Sequence, residues 1–174
     1  MNFIGNKMNS IKTDPKRQLY TSYRWVWDMI SSPEEYESFS NYILHKINEH
    51  EKRKTSTLLH LGSGSGCIDY TLKNHYYITG VDLSEDMVKS AVKKNPECEY
   101  LVEDMRTVNL NRKSDAIILP DSTAYLLTES EIYNLFKNAK NMLNKDGLLM
   151  VMVEYDPEFF PQNRTTVENV RKDD

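Results

Sequence analysis

The sequence has few cysteines, no excess of basic charge and no long apolar run, and each of these features argues against a class of protein. Its two cysteines, Cys67 and Cys98, lie far apart, so they predict neither a disulfide framework nor a pair of metal ligands. The formal net charge of −4 argues against a surface built to hold nucleic acid. No run of about 18 apolar residues is present to span a bilayer, and the start of the chain lacks the apolar core of a signal peptide. We therefore expect a cytoplasmic protein with neither a nucleic-acid nor a membrane partner.

Glycine is scarce as well, yet it is concentrated at one point. The chain has six glycines in 174 residues, and Gly62, Gly64 and Gly66 all stand in the stretch LLHLGSGSG at residues 58–66. They lie where a β-prone run ends and a helix should begin. Glycine there lets the backbone adopt positive φ, while the start of the helix presents unpaired amides to a ligand. A tight turn without a ligand would use the same glycines, so the loop alone leaves both interpretations open.

The sequence as a whole, with 39 % apolar and 28 % charged residues, is that of a globular protein, and its predicted strands and helices alternate. Ser84 caps one predicted helix, Thr128 and Glu131 form a capping box for another, and Asp146 with Gly147 predicts a turn before the last strand. Such alternation is typical of an α/β parallel sheet with helices on both faces. The predicted strands are residues 57–61, 77–81, 98–102, 116–119 and 148–153. The predicted apolar face of the last helix is Ile132, Leu135, Phe136, Ala139 and Leu143.

The chain ahead of the first strand predicts a leader and a helical cap. We expect this part to occupy residues 1–56 and the α/β core to occupy residues 57–174. Ser32 and Glu35 have the spacing of a capping box, which predicts a helix that runs to about residue 51. The apolar positions of that helix are Tyr36, Phe39, Ile43 and Ile47.

Asp82 supports the interpretation of the glycine loop as a ligand site. It ends the second predicted strand, twenty residues after Gly62, where a carboxylate can accept both hydroxyls of a ribose. The dinucleotide fingerprint G-x-G-x-x-G would place its third glycine at position 67, which is Cys67. The sequence also lacks G-x-x-x-x-G-K-[ST], which excludes a phosphate loop of the ATP- or GTP-hydrolysing kind. A nucleotide other than NAD, ATP or GTP is therefore favoured.

Four segments in this order resemble the class I S-adenosylmethionine-dependent methyltransferases, over roughly residues 57–154. They are LLHLGSGSG, GVDLSEDMVKSA, EYLVEDMRTV and DGLLMVMVE. The resemblance implies that S-adenosylmethionine is the cofactor and that the glycines of the loop pass under its methionine part. It further implies that Asp82 holds the ribose hydroxyls and that Leu83 flanks the adenine. Asp104 would accept from the adenine amino group, the Met105 amide would donate to the ring, and Leu119 would face the cofactor.

His60 departs from the pattern of this family, whose members usually carry an acidic residue there. The imidazole could replace that acid through a ring hydrogen bond to loop amides or to water. Alternatively, it could mark weakened binding of the methionine amino group. We expect no metal at His60, because no second ligand stands at a suitable spacing.

Residues that bind the methyl acceptor are expected in two places. One is the loop after the fourth strand, and the other is the aromatic segment LYTSYRWVWDMI at residues 19–30. Ligands of open α/β sheets bind beyond the carboxyl ends of the strands. The stretch DSTAYLL at residues 121–127 resembles the corresponding loop of small-molecule N-methyltransferases, including those that act on glycine and on amino sugars. Tyr20 and Tyr23 could cap the cofactor or orient the acceptor, while Asp121 or Tyr125 could bind an amine. Tyr23, Asp121 and Tyr125 are therefore the catalytic candidates, with ordinary loop or core roles as the alternative.

These observations together predict a Rossmann-like sheet of order 3-2-1-4-5 and a methyltransferase that acts on a small molecule, with an amine as one possible acceptor. Class I members have seven strands, so the sixth and seventh are missing and we expect the core to be incomplete at its carboxyl end. Residues 165–170 could begin one further strand. One alternative is a module that binds S-adenosylmethionine without catalysis, and another is an NAD-dependent oxidoreductase, which the glycine spacing disfavours.

Overall fold

A computed structural model describes residue 20, residues 23–120 and residues 122–153 of the chain. The predicted strand at 165–170 lies outside the described residues. The helices are α1 Arg24–Ile30, α2 Glu37–His50, α3 Cys67–Leu72, α4 Glu85–Lys94 and α5 Glu129–Met142. The strands are β1 Thr57–Leu61, β2 Tyr77–Asp82, β3 Glu99–Val102, β4 Ser114–Leu119 and β5 Leu143–Val151.

The five strands form one parallel sheet in the order β3-β2-β1-β4-β5, which confirms the predicted Rossmann-like order. Side chains alternate between its two faces, as the period of two in a strand requires. Leu58 and Ile118 pack with α2 and α3 on one face, whereas Leu59 and Ile117 pack with α5 on the other. Both faces of β1 and β4 are thus covered, which explains the uninterrupted apolar run at residues 116–119 of β4.

The predicted helix caps are confirmed for α4 and α5. The Ser84 hydroxyl accepts from the Met87 amide, and the Thr128 hydroxyl accepts from the Glu131 amide. The predicted box at Ser32 and Glu35 also forms, with each residue's amide donating to the other's side chain. There, however, the backbone hydrogen bonds join residues three apart and form a turn. The helix α2 therefore begins only at Glu37, four residues after Pro33.

Two predictions near the carboxyl end need correction. The face of α5 that packs on the core consists of Leu135, Ala139 and Met142, while Ile132 and Phe136 lie at its exposed border. Leu143 is already the first residue of β5, which starts five residues earlier than predicted. Between the pairs Ser114–Leu143 and Ala116–Leu148 the register shifts. The predicted turn at Asp146 and Gly147 is therefore a bulge within the strand, where Asp146 adopts a φ of 62°.

Helix α2 shares a core with the sheet. Ile43 and Ile47 are fully buried, in one cluster with Leu58 and Ile118. In the ranges that the structure describes, no helix has the length and apolar character needed to cross a membrane.

We expect Ile47→Ala to lower the free energy of unfolding by about 2–5 kcal/mol, because it leaves a cavity in the core beneath the sheet. Tyr42→Ala on the same helix, where the side chain is 48 % exposed, is the control and should cost less than about 1 kcal/mol. Urea denaturation measures both. Equal effects of the two substitutions would mean that α2 is not part of the cooperative core.

The Asp115 side chain links the amino ends of β1, β4 and β5 by hydrogen bonds. Its carboxylate accepts from the Ser56 and Thr57 amides at 3.1 and 3.0 Å, and from the Asn144 side chain at 2.9 Å. It also pairs with Arg53. Partial burial alone would raise the pKa of Asp115, but the hydrogen bonds from Ser56 and Thr57 outweigh burial and hold the pKa below its ordinary value.

Asp115→Asn should lower the free energy of unfolding at neutral pH by about 1.5–3 kcal/mol, the value of hydrogen bonds to a charged group. Because the folded-state pKa is depressed, the charge stabilises the protein above the unfolded pKa of about 3.9 and loses this effect as the pH falls through the folded pKa. The difference between wild type and variant should therefore shrink below about pH 4. Denaturation curves over a pH series would contradict this if the difference stayed constant.

Candidate active site

A cavity lies at the carboxyl ends of β1, β2 and β3, where ligands of open α/β sheets bind. We call it the central cavity. Nine of the residues predicted for the site line it: Tyr20, His60, Gly62, Gly64, Asp82, Leu83, Asp104, Met105 and Tyr125. The structure thus brings together residues from five stretches of the chain that are distant in sequence.

The glycine loop forms the wall of the cavity beyond β1. The Gly62 and Ser63 amides donate to the Val81 carbonyl at 2.7 and 2.9 Å, which holds the loop against β2. Gly62 has a φ of 74°, and a β-carbon there would collide with the side chain of Ser122. Gly64 has a φ of 53° and open space where a β-carbon would stand. The loop therefore presents bare main chain to the cavity at Gly64.

The Asp82 carboxylate connects this loop to the start of α4. One oxygen accepts from the Gly64 amide and the other from the Ser84 amide, both at 2.8 Å. Burial raises the pKa of Asp82, and the amides of Ser84 and Gly64 oppose that rise. A carboxylate has about four lone-pair sites, so the group can still accept a hydrogen bond from a ligand.

Asp104, expected to accept from adenine, is held in place by Arg106. The guanidinium binds it through two bonds, Nε to Oδ1 at 2.8 Å and a terminal nitrogen to Oδ2 at 2.7 Å. Arg106 also pairs with Glu131 of α5. The hydrogen bonds to Asp104 are the main cause that raises the pKa of Arg106 above its ordinary value. Sequence reasoning missed Arg106, although its position two residues after Asp104 was visible.

An aromatic cluster of Tyr20, Trp27 and Tyr125 covers one side of the cavity. The Tyr20 ring lies 5.4 Å from Trp27 and meets Tyr125 edge-on at 5.8 Å, and the two tyrosine hydroxyls are hydrogen-bonded. The Ser84 hydroxyl donates to the Tyr20 carbonyl at 2.6 Å. Sequence reasoning placed Trp27 in the aromatic segment but did not single it out.

Three other predicted residues lie elsewhere, and a fourth is not described. Tyr23 is 50 % exposed and does not line the cavity, because it stands just ahead of α1. Leu119 is fully buried on the α5 face of the sheet, packed among apolar side chains rather than against the cavity. Gly66 does not line the cavity either but caps α3 in the left-handed conformation. Asp121 lies outside the described residues.

His60 is buried in a chain of four polar side chains at the floor of the cavity. Its Nδ1 lies 2.7 Å from the Asp69 carboxylate, whose other oxygen accepts from the Tyr100 hydroxyl at 2.9 Å. The Tyr100 hydroxyl oxygen in turn accepts a hydrogen bond from the side-chain amide of Asn95 at 3.0 Å. Among the described residues, no group of three or more metal-ligating side chains is present, so His60 has no metal partners there.

Comparison with known proteins agrees with this geometry. The model of the family described as "Methyltransferase domain" matches residues 58–147. The dTDP-3-amino-3,4,6-trideoxy-alpha-D-glucopyranose N,N-dimethyltransferase of Streptomyces venezuelae is 30 % identical over 122 residues, which are 69 % of this chain and 52 % of that protein. The chain thus spans about half the length of this relative.

Solved structures show the same fold. The crystal structure of Streptomyces venezuelae DesVI has a TM-score of 0.73 at 26 % identity, covering 80 % of this chain and 59 % of that one. CalS10 of Micromonospora echinaspora, described as an amino pentose methyltransferase, has a TM-score of 0.71 at 22 % identity over 79 % of this chain and 59 % of its own, a likeness in fold.

The family match covers 90 of the 174 residues, from 58 to 147, and includes both the glycine loop and Asp82. The chain therefore belongs to the methyltransferase-domain family, and its predicted resemblance to the class I S-adenosylmethionine-dependent methyltransferases is confirmed.

Proposed function

We propose that this chain binds S-adenosylmethionine in the central cavity and transfers the methyl group to an amine of a small molecule. The observation that carries the proposal is the 2.8 Å hydrogen bond between the Gly64 amide and the Asp82 carboxylate. It places bare main chain beside a fixed acceptor at the carboxyl end of the sheet. A nucleoside whose sugar offers two hydroxyls needs both features.

The residues present fit this cofactor. A β-carbon at Gly64 would occupy open space in the cavity, so the absence of a side chain leaves room for a ligand against the loop. Asp82 would hold the ribose hydroxyls through its remaining lone pairs. Asp104 and the Met105 amide would bind the edge of the adenine, with Leu83 as an apolar wall. Asp104 is fixed for this task by its two bonds to Arg106.

When bound, the cofactor would supply a sulfonium methyl group, whose carbon takes the new bond from an in-line nucleophile while its bond to sulfur breaks and S-adenosylhomocysteine leaves. The protein's own contribution is to position the two reactants and to keep water out. The aromatic cluster would contribute to both tasks, because it covers the cavity beside the loop that follows β4. Rings at this place also favour a cation, whether a sulfonium or an ammonium, over their faces.

An amine acceptor is supported by the chemistry of the relatives and by the loop at residues 122–127. The Streptomyces venezuelae relative is named for methylation of an amino sugar. In the present chain Tyr125 brings its hydroxyl to Tyr20 at the cavity, where it can receive or orient an amine. An ammonium must lose its proton before it attacks, and we propose that Tyr125 or Asp121 takes part in that step.

Substitution of Asp82 tests the cofactor site. We expect Asp82→Asn to weaken binding of S-adenosylhomocysteine at least about 10-fold, because hydrogen bonds to a charged acceptor contribute about 1.5–3 kcal/mol. Asp86→Asn, in the first turn of α4 but outside the cavity, is the matched control and should bind as wild type does. Calorimetry measures the affinities, and circular dichroism confirms that both variants fold.

Unchanged affinity in Asp82→Asn would remove the basis of the proposal. Binding of NAD by the wild type, without binding of S-adenosylmethionine, would support the oxidoreductase instead.

Methyl transfer itself is tested with the full-length protein, S-adenosylmethionine and a panel of amino sugars, glycine and their hydroxyl analogues. We expect mass spectrometry to find the methyl group on an amine and not on the matching hydroxyl compound. Tyr125→Phe removes only the hydroxyl at the cavity and should lower the turnover at least about 10-fold, within the range for positioned acid–base groups. Tyr133→Phe on the exposed side of α5 is the control.

Cofactor binding without methylation of any compound would favour the non-catalytic module.

A further inference from the structure

The buried pair His60 and Asp69 is not explained by packing alone. His60 is 1 % exposed and Asp69 is fully buried, on β1 and α3 respectively. A histidine and a carboxylate taken out of water are costly unless their polar atoms are paired. Asp69 is paired at both oxygens, with His60 and with Tyr100. On His60, only Nδ1 is paired.

The second ring nitrogen, His60 Nε2, is buried without a hydrogen-bond partner among the described residues, and His60 lines the central cavity. The hydroxyl of Ser63 is in the same position: it is buried, lacks a partner among those residues, and belongs to a residue of the cavity wall. Buried polar groups are nearly always hydrogen-bonded, so two unpaired atoms in one wall indicate a ligand that pairs with them.

The hydrogen bonds around Asp69 determine what His60 can offer that ligand. An ionised carboxylate only accepts, and Asp69 already accepts from the Tyr100 hydroxyl, which is itself fixed by Asn95. The proton of the neutral imidazole therefore lies on Nδ1, between His60 and Asp69. This leaves Nε2 as an acceptor.

The charges nearby favour a cationic donor. Asp69 lies against His60 Nδ1 and Asp82 lines the same cavity, while three amides of the loop that could attract an anion already donate within the protein. The Gly62 and Ser63 amides bind the Val81 carbonyl, and the Gly64 amide binds Asp82. An ammonium is therefore the group that this floor would take.

We propose that His60 Nε2 accepts a hydrogen bond from the α-ammonium of the cofactor's amino-acid part, and that Asp69 is the positioning residue that sets the tautomer. This inference rests on the proposed function. The family usually carries a negative charge at position 60. Here Asp69 on α3 would supply that charge, and it would act on the ammonium through the imidazole of His60. The Ser63 hydroxyl oxygen provides a second acceptor for the same ammonium.

Three nucleosides separate this role from a structural one: S-adenosylhomocysteine, its analogue without the amino group, and its analogue without the carboxylate. We expect Asp69→Asn to weaken binding of S-adenosylhomocysteine and of the decarboxylated analogue at least about 10-fold, since an asparagine amide can donate to Nδ1 and so move the ring proton to Nε2. Affinity for the analogue without the amino group should change less than about 2-fold, as no ammonium is lost.

Tyr100→Phe gives a second, milder variant in case the buried Asp69→Asn change prevents folding. It removes one bond to Asp69 and should weaken binding of the same two ammonium-bearing nucleosides, by less than Asp69→Asn does. His75→Gln, at an exposed histidine, is the control for all three ligands. Nitrogen NMR of the imidazole rings should show the His60 proton on Nδ1 in the wild type and on Nε2 in Asp69→Asn.

Equal loss of affinity for all three nucleosides would overturn the inference in favour of a structural role. A loss confined to the two nucleosides that carry the carboxylate would overturn it by showing that His60 binds that group. In both cases the proposed function stands, because the wild type still binds the nucleosides. A wild type that binds none of them would instead refute the proposed function, and this inference with it.

Discussion

The Asp82 carboxylate is the constraint on which the site depends, because it joins the loop after β1 to the loop after β2. Its two oxygens hold the amides of Gly64 and Ser84, each at 2.8 Å. The Ser84 side chain in turn caps α4 and donates to the Tyr20 carbonyl, so the same junction also fixes the aromatic cluster. A single partly buried acid thus connects the glycine loop, the first turn of α4 and one side of the cavity.

The floor of the cavity is built differently from the rest of the core, and this difference has a physical reason. On the α2 and α3 face of the sheet, apolar side chains such as Leu58 and Ile118 fill the space. At His60, on the same face, the sequence instead places a polar chain that continues through Asp69 and Tyr100 to Asn95. Such a chain is costly to bury and holds its members in one arrangement. It links strands β1 and β3 to α3, so the packing of these three elements determines the geometry of the cavity floor.

The parts of the fold and the site that sequence could predict are those determined by local patterns. Strand β1 was predicted to the residue, and Asp82 and the glycines were found because their spacing along the chain is fixed by a strand, a turn and a helix. Asp69 and Arg106 were missed, because their importance comes from the partners that they meet in space. Leu119 was expected at the cofactor, yet the alternation along β4 turns it to the opposite face, where it packs near α5. The exposed position of Tyr23 and the late start of α2 depended likewise on tertiary packing and on a turn that the capping box alone did not reveal.

The two halves of the cavity are held by interactions of different strength, and this suggests how one site can retain a cofactor while exchanging acceptors. The cofactor half is formed by strand ends and by charged hydrogen bonds, among them the pairs of Asp82 with Gly64 and of Asp104 with Arg106. The other half is formed by Tyr20, Trp27 and Tyr125, which meet through ring contacts and one hydrogen bond between hydroxyls. Ring contacts of this kind contribute about 0.5–1.5 kcal/mol each beyond the area that they bury, which is less than a hydrogen bond to a charged group contributes. The acceptor is therefore expected to enter past the aromatic cluster, and its selectivity to depend on residues outside the parallel sheet.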